Sequence, residues 1–90
     1  MLIKYRPNRG LLADAMAEAK EFNTIDDMID FIIGEHSFKG RSAFDRDDVV
    51  IDEPHGDDDR IGWKNVRHIC VKRYYDEIYD TPQCIGMCSY

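Results

Sequence analysis

Four side chains in the last third of the chain are of the kinds that bind soft metals: His68, Cys70, Cys84 and Cys88. A structural zinc site takes four Cys or His ligands at about 2.0–2.3 Å. The spacing speaks against one. In a strand, residues four apart lie ~13 Å apart, so Cys84 and Cys88 share an ion only if Gly86 makes a turn. One disulfide among the three thiols is a second reading. Buried or half-buried free thiols are the third and best, because free cysteine packs as a small hydrophobe. The zinc module with His68, Cys70, Cys84 and Cys88 is kept as the alternative, and no cofactor is expected.

A second constellation is acidic. Asp45, Asp47, Asp48, Asp52, Glu53, Asp57, Asp58 and Asp59 crowd one stretch, relieved only by Arg46 and His55. It lacks the Gly and Glu positions of a calcium loop. The plain reading is a solvated loop and an exposed strand face. The functional reading is an acidic surface offered to a basic protein partner, such as the nucleic-acid channel of an enzyme.

The remaining candidates are weaker. His36, His55 and His68 are scattered. His68 and Cys70 on one strand face point in parallel rather than at each other, so they make no nucleophile and base. Gly62 and Gly86 are isolated, which leaves no phosphate-binding loop. Lys64, Arg67, Lys72 and Arg73 precede Tyr74 and Tyr75, and a basic aromatic sheet face can bind single-stranded nucleic acid. With a net charge of −6, pairing of these cations with the acidic loop is the simpler expectation.

These groups need elements to hold them. Residues 2–5 suit a short strand, ended by a turn over 6–10 with Pro7, Asn8 and Gly10. Leu12, Ala15, Met16 and Ala19 make one apolar stripe and predict a helix over 11–20. Thr24 reads as the N-cap of a second helix with Asp27 at N3, and Gly34 as its stop. Ile25, Met28, Ile29 and Ile32 form its buried stripe. Residues 35–43 read as a polar connection, and 42–48 as one helical turn capped by Ser42. Residues 49–51 are a strand, and 54–59 a loop returning the chain antiparallel.

The longest strand-like run follows, 63–75, then a turn near Asp80 and a last extended run over 83–90. Parity puts Ile61, Trp63, Ile69 and Val71 on one face with Ile85 and Met87. His68 and all three cysteines then share the other. One bulge would invert that assignment. Trp63 is expected between sheet and helices near Ile29, Ile32, Ile69 and Val71. Tyr79 and Tyr90 are expected to cover the cysteine face. The predicted fold is α+β, an antiparallel sheet of three to four strands with two helices packed on one face, in the order β-α-α-β-β-β.

Ninety residues suit a single domain, 1–90. At 43% hydrophobic and 33% charged the chain is globular rather than disordered. The acidic balance disfavours direct nucleic-acid binding. No apolar run approaches the ~20 residues of a membrane span, and the first ten residues carry no apolar signal core, so a cytoplasmic protein is expected. Three cysteines are too few for a disulfide scaffold. A monomer is expected, or a two-fold homodimer joined at residues 83–90 if that strand is an edge.

Three strings carry a resemblance that spans most of the chain. They are Tyr5-Arg6-Pro7-Asn8-Arg9-Gly10, Asp59-Arg60-Ile61-Gly62-Trp63-Lys64 and Pro82-Gln83-Cys84-Ile85-Gly86-Met87-Cys88. With them the chain resembles small proteins encoded in prophages and other mobile elements of Firmicutes. The family more often has His where this chain has Asn8, so no histidine role at that turn carries over. The resemblance implies a phage or mobile-element setting, and with it inhibition of a host defence protein, for example a nuclease. It brings no catalytic residue. The expectation is a small non-enzymatic binding protein acting through the acidic surface. A metal-binding module and a small enzyme or nucleotide binder are the competing classes.

Overall fold

The computed structural model describes residues 2–8 and 10–90. Ile3 and Tyr5 alternate with Lys4, and β1 (Ile3–Pro7) is the strand that results. It runs past the expected end. Pro7 pairs with Gly86, and Asn8 N donates to Ile85 O at 3.0 Å. Pro7 is tolerated because its nitrogen faces the side where the neighbouring strand has already stopped, opposite Tyr5. The turn expected over 6–10 includes Arg9, which lies outside the described residues.

Helix α1 (Leu12–Ala17) is six residues long, not the ten expected. The chain then forms β2 (Lys20–Phe22), whose register on β1 is Ile3↔Phe22 and Tyr5↔Lys20. A helix this short hardly sustains itself. The strand instead brings Phe22 within 6.4 Å of the Tyr5 ring and 5.4 Å of Phe31. Tertiary packing overrides the alanine-rich stripe.

Helix α2 (Ile25–Glu35) starts as expected, with Thr24 Oγ1 accepting from Asp27 N at 3.1 Å. It continues through Gly34, and His36 is its cap. The predicted polar connection is a small hairpin of β3 (Ser37–Phe38) and β4 (Arg41–Ser42). Lys39 and Gly40, at φ 51° and 77°, form the paired left-handed turn that two-residue hairpins need. A 3-10 turn over Arg46–Asp48 follows, capped by Asp45 rather than Ser42. Arg46 ties it to α2 through Asp26 at 3.2 Å and through Asp30.

The last strands are β5 (Val49–Ile51), β6 (Val66–Asp76) and β7 (Thr81–Ser89). Among the described residues the main sheet has five antiparallel strands in the order β2-β1-β7-β6-β5. The α+β class stands, but the three to four expected strands are five plus a hairpin. The order is β-α-β-α-β-β-β-β-β. Strand β7 is central, so residues 83–90 are not a dimerisation edge; β2 and β5 are the edges.

Strand β6 starts at Val66 rather than near Trp63. Gly62 and Asn65 sit at φ 71° and 52°, and Trp63 bridges back to Asp58 through N–H···O bonds of 3.1 and 2.9 Å. Trp63 is therefore a loop residue. It is buried, yet it stands outside the cluster of Ile3, Tyr5, Met28, Ile32, Phe44, Ile69, Val71 and Cys88 that forms the core. It borders a groove with Lys4 and Glu21, not Ile29 or Ile32. Helix α2 alone supplies helical residues to that cluster. Ala15 of α1 is fully buried apart from it, so the pair of helices does not form one layer on the core.

Candidate functional site

The cysteines do not converge as a zinc set. Between β6 and β7 the register steps from Ile69↔Gly86 to Cys70↔Cys84, leaving Ile85 as an extra residue. This bulge inverts the expected parity. Cys88 joins the core beside Tyr5, while Met87 turns to the other face and accepts from the Arg6 guanidinium at 2.7 Å. Cys70 and Cys84 stay on that other face, bordering a groove of about 340 Å³ with Asp52 and His68. All three thiols are free.

Tyr79 does not cover the cysteines; it is 76% exposed at the β6–β7 turn, next to Ile78 at 88%. Tyr90 is half-buried beneath the Arg67 guanidinium at 4.5 Å.

Burial pushes the Cys70 and Cys88 thiols up to about 11. Titration with a chromogenic disulfide at neutral pH is therefore expected to find one fast thiol, Cys84, and two slow ones. The unfolded chain ionises its thiols near the ordinary value of about 8.5. Between there and about 11 the unfolded state loses protons that the folded state keeps. Stability is thus full below that window and falls as pH rises through it. Three fast thiols, or a melting temperature flat across that window, would contradict the burial.

The acidic stretch divides into parts with different jobs. Asp57 Oδ1 accepts from Asn65 N at 3.1 Å, and its other oxygen meets Lys64 at 3.2 Å. The Asn65 N–H first, and Lys64 second, hold Asp57 below the usual carboxylate range. Asp58 is held low chiefly by Arg60, at 3.0–3.1 Å. These two carboxylates fasten the loop that carries Trp63. Asp48 and Asp45 face Arg73 at 3.3 and 3.8 Å. Of the four cations expected to pair with the acidic stretch, Lys64 in the loop before β6 and Arg73 on β6 do so, while Arg67 donates to the Asp52 carbonyl at 3.4 Å and Lys72 joins no ion pair among the described residues. Asp47, Glu53 and Asp59 are exposed and join no ion pair among the described residues.

Strand β5 threads this stretch. It is a sheet edge of three residues, with Asp45, Asp47 and Asp48 before it and Asp52 and Glu53 after it. Its outer side has no strand partner among the described residues.

One grouping escaped the sequence reading. Donor atoms of Asp52, His55 and His68 all lie within 4.8 Å of one another. The backbone builds this meeting. Asp52 N donates to His68 O at 3.0 Å, and His55 N to Val66 O at 2.9 Å, so the chain after β5 still follows β6. The imidazole rings lie 4.3 Å apart, tilted by 41°, and His55 Nε2 is 3.8 Å from Asp52 Oδ2. Burial first, and the neighbouring His55 second, lower the His68 pKa. The only sequence cue was Asp52-x-x-His55, and its link to His68 depends on the β5–β6 register.

Comparison with protein-family models, with curated proteins and with solved structures finds no match. Among the described residues no helix is long and apolar enough to cross a membrane.

Proposed function

We propose that the chain is a small non-enzymatic binding protein that takes a basic protein partner along the acidic β5 edge. The observation that carries this reading is the edge strand with carboxylates at both ends, where among the described residues Asp47 and Glu53 are exposed and join no ion pair. An extended basic segment could add to such an edge by main-chain hydrogen bonds, with its cations reading the flanking carboxylates. Acids at a sheet edge also deter self-pairing, and the two roles are compatible. The resemblance to mobile-element proteins supports a finer reading: the partner is a host defence protein, and the chain inhibits it by occupying a basic, nucleic-acid-binding surface.

The test is differential capture from a bacterial host lysate. Wild type is compared with the triple variant Asp47→Asn, Glu53→Gln, Asp59→Asn. The expected result is a basic protein enriched on wild type, lost from the variant and released by high salt. The same proteins on both baits would reject the acidic edge.

A further inference from the structure

We propose that Asp52, His55 and His68 form a binding site for one divalent transition-metal ion, with zinc as its representative. Two imidazoles and one carboxylate are a donor set that zinc accepts, at about 2.0–2.2 Å per bond. Donors sharing a tetrahedral ion lie about 3.4 Å apart by that geometry. The three groups already have donor atoms within 4.8 Å of one another. The difference, at most about 1.4 Å, is within reach of small side-chain rotations.

The frame that holds the donors is rigid where it needs to be. His68 stands in β6, a strand paired on both sides. Asp52 and His55 are each fixed to β6 by a backbone hydrogen bond, with Pro54 restricting the link between them. Neither imidazole makes a side-chain hydrogen bond among the described residues; each has the other ring and the Asp52 carboxylate for company. Two imidazoles without hydrogen-bond partners beside a carboxylate are free to ligate. Three protein ligands leave the fourth position to water. Asp52 and His68 line a groove with Val50, Cys70 and Cys84, and the site shares only His68 with the His68, Cys70, Cys84 and Cys88 set that the sequence suggested.

The test uses zinc chloride alone on reduced, full-length protein. Equilibrium dialysis is expected to find one zinc per chain. His55→Ala and His68→Ala should each weaken binding by more than about tenfold. The triple variant Cys70→Ser, Cys84→Ser, Cys88→Ser should bind as wild type; if its core fails to fold, Cys84→Ser alone serves. Cobalt substitution gives a second readout: visible d–d bands without the strong near-ultraviolet band of a thiolate ligand. No zinc uptake by wild type would overturn the site, as would histidine variants that bind equally well or a thiolate band with cobalt. Both histidine variants leave the acids of the β5 edge in place, so failure here and failure of the partner reading are separable.

Discussion

Phe44→Ala is expected to destabilise the protein by about 3–5 kcal/mol, the range for truncating a packed aromatic. Phe44 is fully buried and meets Tyr74 edge-on at 5.6 Å and the His36 ring at 5.2 Å. It lies between β4 and the 3-10 turn, where the chain has little regular structure to hold it. One side chain thus anchors the small hairpin on one side and the acidic segment on the other. A domain of this size has a total stability of about 5–15 kcal/mol, so the loss would be a large share. Urea unfolding should show a lower midpoint with an unchanged slope. Phe38, 75% exposed at the hairpin, is the control, and Phe38→Ala should shift stability by no more than about 0.5 kcal/mol. Equal effects at the two positions would place the core elsewhere.

Gly86→Ala is the second large effect. A methyl group there would lie 2.8 Å from Arg6 O and 2.9 Å from the Tyr5 ring. The obstacle is neighbouring backbone and a fully buried ring, neither of which can swing aside. Strands β1 and β7 are both interior to the sheet, so relief requires prying a ladder apart. Overpacking of this kind typically costs about 1–3 kcal/mol, and the backbone contact argues for the upper end. The same displacement loosens the bulge at Ile85 and should speed the reaction of Cys88 with thiol reagents. An unchanged melting temperature and an unreactive Cys88 would show that the strands separate more easily than this packing implies.

The legible parts of the fold were those fixed by local chemistry. Thr24 announced α2 because its hydroxyl satisfies a backbone N–H within the same turn. Strands β5 and β6 announced themselves by β-branched and aromatic residues, with β6 three residues late, and β7 by its place as an extended run after the turn at Asp80. The misses were decided by long-range pairing. Residues 20–22 became a strand because β1 offered them an edge and Phe31 a ring to pack on. The Lys39-Gly40 hairpin was a missed turn signal, since Gly beside a residue able to take φ above zero suffices.

The site followed the same division. The acids were visible as composition, but their separation into loop fasteners (Asp57, Asp58) and carboxylates without an ion pair among the described residues (Asp47, Glu53, Asp59) depends on where Asn65, Arg60 and Arg73 fold. A single extra residue at Ile85 sent Cys88 into the core and left Cys70, Cys84 and His68 on the expected face. The Asp52, His55 and His68 meeting needed the β5–β6 register, which parity along one strand cannot supply.

Amide hydrogen exchange on the chain bound to its captured partner tests docking at the β5 edge most directly. New protection is expected to concentrate at residues 45–53, with the β5 amides slowed most and the effect weakened by salt. Protection confined to the exposed β6–β7 turn around Ile78 and Tyr79, with β5 exchanging as in the free protein, would contradict it.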